Sequence, residues 1–129
     1  MDDRKKRALV VDDEEALRAV MTEVLDMVNI ETDTASSGEE AIAIAADPEK
    51  HFDILIIDMY MPLMTGDEVY EELKKYYPEC PVLFISGLDR NPEQKGETDP
   101  KKQFLKKPFA VKDIQNAIKR LLNPLENKS

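Results

Sequence analysis

A single cysteine, Cys80, and a single histidine, His51, are the first constraints of this 129-residue sequence. One thiol excludes an intramolecular disulfide, and Cys80 stands between Glu79 and Pro81 with no metal-ligand spacing. A reducing, cytoplasmic setting fits that usage. His51 has no helical context and no partner residues, so it reads as a solvated loop residue rather than a phosphohistidine or metal ligand. No apolar stretch approaches the ~20 residues of a membrane span, and the N-terminus lacks the apolar core of a signal peptide. Lys and Arg number 18 against 27 Asp and Glu, and the net charge of -9 argues against unaided nucleic-acid binding, which needs clustered positive charge. Arg4-Lys5-Lys6-Arg7, the one basic run, reads as a solvated lead-in to the first strand. No Walker-type Gly-rich Lys motif is present.

What the sequence does contain is a series of short apolar runs, each ending in a polar residue. Ala8-Leu9-Val10-Val11 ends in Asp12-Asp13, Ile54-Leu55-Ile56-Ile57 in Asp58, and Val82-Leu83-Phe84-Ile85 in Ser86; Lys107 is a fourth polar tip. Between the runs, apolar residues recur at helical spacing. Leu17, Val20, Met21, Val24, Leu25 and Val28 form one stripe. Val69, Tyr70, Leu73 and Tyr77 form another, stopped by Pro78, and Val111, Ile114, Ile118, Leu121 and Leu122 a last one. Ser37 to Glu40 and Thr65 to Glu68 have the form of capping boxes, and Ile30 to Thr34 alternates as an edge strand would. Strands of almost wholly apolar residues alternating with amphipathic helices predict an α/β fold, a parallel sheet covered on both faces. Right-handed crossovers then bring Asp12, Asp13, Asp58, Ser86 and Lys107 to one carboxyl rim, where sites of open α/β sheets form.

Three carboxylates crowded together repel one another, and a hard divalent cation with oxygen ligands relieves them. Such a cation, a lysine and a hydroxyl can take up the charge of a phosphoryl group while a carboxylate attacks in line. Asp58 is the best-placed nucleophile, because Asp12 and Asp13 can both serve the metal, and Ser86 can donate to the phosphoryl group.

Four blocks then carry a resemblance: Val11-Asp12-Asp13-Glu14, the stretch from Asp58 to Gly66, Phe84-Ile85-Ser86-Gly87, and Phe104 to Phe109 with Lys107-Pro108 inside it. In this order, at strand ends, the chain resembles a response-regulator receiver domain of the CheY-like superfamily over about residues 7–122. The resemblance implies a doubly wound, flavodoxin-like sheet of five parallel strands in the order 2-1-3-4-5. It implies phosphorylation of Asp58 by a histidine kinase or phosphotransfer protein. Mg²⁺, for which Mn²⁺ can substitute, would be held by Asp13, Asp58 and the Tyr60 carbonyl, with Asp12 acting through metal-bound water. Lys107 rather than Lys106 would be the active-site lysine, next to a commonly cis Lys-Pro bond, and Ser86 and Phe104 would be the switch pair. The implied partners are the phosphodonor and an unspecified output protein or domain, with no direct nucleic acid and no membrane. The implied state is a monomer or a phosphorylation-linked dimer.

The sequence departs from the pattern between Leu88 and Gln103, where Pro92, Gly96 and Pro100 interrupt a stretch with Leu88 as its only strongly apolar residue. A short, shifted or disordered fourth helix is expected there. The whole chain, 1–129, reads as one domain, with 123–129 as a flexible tail. Plainer readings stand beside these: Asp12 or Asp13 as helix caps, Ser86 as a turn hydroxyl, Phe104 as a packing residue, and Met59, Met61 and Met64 as loop packing. Tyr60 is expected to lean over the phosphoryl site and obstruct water. An Asp-nucleophile phosphatase would need a second acid/base Asp where Tyr60 stands, and a flavodoxin-like cofactor binder would meet repulsion from Asp12 to Glu15. A receiver-shaped interaction module that signals without phosphorylation is the other functional reading.

Overall fold

The first apolar run lies in strand β1 (Lys6–Val11) of the computed structural model, which describes residues 5–87 and 101–122. Helix α1 (Glu15–Met27), β2 (Ile30–Ala35), α2 (Gly38–Ala45), β3 (Ile54–Asp58), α3 (Gly66–Leu73), β4 (Val82–Ser86), β5 (Lys102–Lys106) and α4 (Val111–Leu122) follow among the described residues. The sheet order is β2-β1-β3-β4-β5 and each neighbouring pair is parallel, which is the predicted 2-1-3-4-5 topology.

Alternation along the strands divides the core. Leu9, Val11, Leu55, Ile57, Val82 and Phe84 pack with α2 and α3 on one face. Ala8, Val10, Ile54, Ile56, Leu83 and Ile85 pack with α1 and α4 on the other. Burial on both faces explains why the strands are apolar throughout rather than alternating. Each Leu or Ile so buried contributes roughly 1.5–3 kcal/mol relative to exposure.

The register aligns the strand ends. Val11 is level with Ile57, Asp58 with Ile85, and Ser86 with Lys106. Backbone bonds carry the alignment past the strands: Met59 N–H donates to the Ile85 carbonyl at 2.9 Å, and Lys107 N–H to that of Ser86 at 2.8 Å. The Lys107-Pro108 bond is cis, as the resemblance implied.

Several local expectations are refined. Thr65 and Glu68 form a complete capping box, whereas Ser37 accepts from Glu40 N–H but the Glu40 carboxylate reaches back to Ser36 instead. Helix α3 stops at Leu73 rather than running to Pro78, where the chain tightens: Lys75 and Tyr76 N–H groups bond the carbonyls three residues earlier, Glu72 and Leu73, in place of those four earlier. Tyr77 still joins the core, edge-on to Phe52 with ring centroids 5.6 Å apart. Val20, placed in the apolar stripe of α1, is exposed. The helix expected between β4 and β5 and the tail 123–129 lie outside the described residues. No helix among the described residues is long and apolar enough to cross a membrane.

Candidate functional site

Among the described residues the buried polar side chains are Asp12, Asp58 and Ser86, and all three stand at the carboxyl rim of adjacent strands. Burying a polar group is costly unless something at the site compensates, so their concentration in one place marks it. Asp13 is exposed beside them. Carboxylate oxygens of Asp12, Asp13 and Asp58 lie within 4.8 Å of one another.

Local backbone aims the two buried carboxylates. Asp58 Oδ1 accepts the Tyr60 N–H at 3.1 Å, and Asp12 Oδ1 accepts the Glu14 N–H at 2.8 Å. The plainer reading of Asp12 is thus partly realised, since it holds a backbone N–H next to α1, while Glu14 occupies the N-cap position with no side-chain cap bond. Arg18 Nη1 donates to the Asp12 carbonyl at 2.7 Å and fastens this turn to the helix. After β3, the loop is closed by Gly66 N–H on the Met59 carbonyl at 2.9 Å. The approach there is so close that a Cβ on Gly66 would stand 2.7 Å from the Asp58 carbonyl oxygen and 2.8 Å from Met59 Cα.

Burial pushes the Asp12 carboxyl up to about 6; the Glu14 N–H and Lys107 oppose the shift, and the charges of Asp58 and Asp13 add to it. Asp58 is raised as well, by burial first and by Asp13 and Glu14, against the Tyr60 N–H and Lys107. A cation placed among these oxygens would relieve both. The donors are all oxygen, with neither His nor Cys among them, which suits Mg²⁺ or Mn²⁺ rather than zinc.

Lys107 reaches the same rim from β5, with its Nζ 3.2 Å from Glu14 Oε1. Burial works against its charge, but the Glu14 hydrogen bond and the charges of Asp58 and Asp12 outweigh that and raise its pKa. Reading strand ends alone does not single out Glu14, because its partner lies 93 residues away and only the strand order brings them together. Glu14, Leu17, Gly87, Lys107, Pro108 and Phe109 line an open cleft of about 540 Å³ beside the carboxylates. A second cleft, of about 410 Å³, opens at the opposite rim beside Lys6, Arg7 and Asp53 and holds none of these groups.

The remaining candidates fall into place. Phe104 is partly buried and stacks on Phe84, with centroids 5.2 Å apart and planes 25° apart. Tyr60 is exposed at 45%. Lys106 and His51 are exposed, and His51 Nε2 lies 3.4 Å from Asp53 at the far rim. Met59 and Met61 are buried and Met64 partly so, all within the core. Burial, with Asp53, pushes the Cys80 thiol up to about 12, leaving no thiolate at neutral pH.

Comparison with known proteins gives a consistent result. The family model described as the response regulator receiver domain matches residues 8–119. The chain is 33% identical over 128 residues to the probable transcriptional regulator ycf27 of Cyanophora paradoxa, covering 98% of this chain and 52% of that protein. It is 32% identical over 115 residues to the sensor kinase CckA of Brucella abortus (strain 2308), covering 88% of this chain and 12% of that one. The chain therefore spans about half or less of the length of these curated relatives. Among solved structures, Vibrio cholerae chemotaxis protein CheY4 matches with a TM-score of 0.80 at 30% identity, covering 92% of this chain and 100% of that one. The receiver domain of the hybrid histidine kinase CckA matches with a TM-score of 0.77 at 34% identity, covering 91% and 99%.

Proposed function

Because the chain belongs to the response regulator receiver domain family, the signalling domains of two-component systems, we propose that it is a phosphoacceptor switch whose Asp58 takes a phosphoryl group from a histidine kinase or phosphotransfer protein. The observation that carries this reading is the meeting of Asp12, Asp13 and Asp58 within 4.8 Å at the rim that Lys107 also reaches. A receiver domain is a signalling domain rather than a conventional metabolic enzyme; its part in the chemistry is to catalyse its own phosphorylation and dephosphorylation.

Asp58 is held by the Tyr60 N–H through Oδ1, which leaves Oδ2 for the attack on phosphorus. As that oxygen-phosphorus bond forms, the bond from phosphorus to the donor imidazole nitrogen breaks and its electron pair stays on the imidazole. Asp13, Asp58 and the Tyr60 carbonyl are the groups that would hold Mg²⁺, with Asp12 behind them; when bound, the ion supplies positive charge for the phosphoryl oxygens. Lys107 supplies a further cation and the Ser86 hydroxyl a hydrogen bond. Water is limited by the Tyr60 side chain. The added charge at Asp58 then draws Ser86 toward it and lets Phe104 repack, which alters the surface offered to an output protein or domain. The setting is cytoplasmic, and the chain works as a monomer or a phosphorylation-linked dimer.

The test is intact-protein mass after incubation with acetyl phosphate, with and without Mg²⁺. One Mg²⁺-dependent phosphoryl addition, lost in Asp58→Asn, is the expected result. A folded, Mg²⁺-binding chain that accepts no phosphoryl group from acetyl phosphate or from phosphorylated histidine kinases would instead favour a module that signals by binding alone.

A further inference from the structure

Glu14 occupies the N-cap position of α1, where a short Ser, Thr or Asp side chain ordinarily bonds the helix N–H groups, yet its carboxylate makes no cap bond. Asp12 fixes the backbone of Glu14 through its N–H, and the Glu14 side chain crosses instead to Lys107 Nζ at 3.2 Å. The Lys107 ammonium, which the acceptor chemistry needs beside Asp58, is therefore hydrogen-bonded to a carboxylate with no place in that chemistry. The pair is half open to solvent, with Glu14 62% and Lys107 30% exposed, and it stands on the wall of the cleft next to the site. An ion pair so exposed is weak and easily exchanged.

The geometry points to Glu14 as a positioning residue that holds the Lys107 ammonium aside while Asp58 is unmodified and gives it up to the phosphoryl oxygens once the group is attached. This rests on Asp58 being the phosphoacceptor. Two consequences follow from the same carboxylate. Lys107 must leave a partner before it can receive the phosphoryl group, and an anionic donor entering the cleft meets one more negative charge. Glu14 thus slows phosphoryl uptake, and it does so chiefly through Lys107.

The experiment combines phosphoryl-uptake rates from acetyl phosphate in saturating Mg²⁺ with NMR of the chain carrying ¹³Cε-labelled lysine. Glu14→Gln is expected to speed uptake by about threefold or more. Glu14→Asp, which keeps the charge on a side chain one methylene shorter, should fall between. In a Lys107→Ala background the Glu14→Gln effect should shrink toward unity. Without donor or metal, the Lys107 Cε signal should move in Glu14→Gln toward the position of solvent-exposed lysines. An unmoved Lys107 signal overturns the proposal. So does a moved signal with an unchanged uptake rate, or an equal Glu14→Gln effect with and without Lys107. Wild-type chain that takes up no phosphoryl group overturns the acceptor reading and this proposal together, whereas uptake at one rate in wild type, Glu14→Gln and Glu14→Asp overturns this proposal alone.

Discussion

The Phe104 ring lies stacked on Phe84, 5.2 Å between centroids and 25° between planes, and Phe84 in turn meets Tyr70 of α3 edge-on at 5.5 Å. A residue proposed to switch is therefore already packed on one that is wholly core. Phe104 has no hydroxyl to anchor its ring, so the stacking on Phe84 holds by dispersion and burial. Phe104→Ala should lower stability by about 2 kcal/mol, less than a fully buried Phe would cost because this ring is only partly covered. Urea unfolding measures it. Phosphorylation should also shift the ring resonances of Phe84 and Phe104 together in wild type; a Phe84 signal that ignores phosphorylation counts against the switch.

Metal-free stability should rise on mild acidification. The folded carboxyl of Asp12, at about 6, lies above the ordinary value of 3.8 that the unfolded chain has. Between those values the folded chain keeps a proton that the unfolded chain has lost, so stability falls as pH rises through this window. Going from pH 7 to pH 5 should recover on the order of 1 kcal/mol from Asp12, and Asp58, also raised, acts with the same sign. Mg²⁺ favours the ionised carboxylates, so it should raise Tm more at pH 7 than at pH 5. Thermal unfolding in EDTA and in Mg²⁺ at both pH values decides this, and a metal-free Tm that drops at pH 5 would oppose it.

Gly66→Ala should destabilise the chain by roughly 1–3 kcal/mol, because the new Cβ would meet backbone atoms on Asp58 and Met59 at under 3 Å and a backbone cannot rotate aside. Since the displaced atoms include the backbone of Asp58, the proposed acceptor, phosphoryl uptake should fall even where the variant is folded. Gly87→Ala is the contrast: its Cβ would meet Lys107 Cδ at 3.7 Å, an ordinary contact, and stability should hardly change.

Tyr60→Ala should shorten the lifetime of the phosphorylated state. The Tyr60 N–H bonds Asp58, and that backbone bond survives the substitution, so only the exposed ring proposed to shield the site is removed. Hydrolysis followed by intact mass after donor removal should be severalfold faster. Identical decay in both proteins would assign Tyr60 no protective part.

The order of elements, the parallel sheet and the polar tips were legible in the sequence, because apolar runs and helical spacing are local patterns that solvent exclusion reads one segment at a time. Asp12, Asp58, Ser86 and Lys107 follow from that, since a residue after a strand must reach the rim to which the strand points. The sequence could not separate Asp12, which is 2% exposed, from its exposed neighbour Asp13, because adjacent side chains near a strand end face different surroundings and only packing says which is covered. Nor could it end α3 at Leu73, send the Glu40 carboxylate to Ser36, or bring Glu14 to Lys107 across 93 residues. The last of these depends on which groups the finished sheet places within reach of one another. Hydrogen bonds and ion pairs are short-ranged, so between segments distant in sequence tertiary structure alone selects the partners.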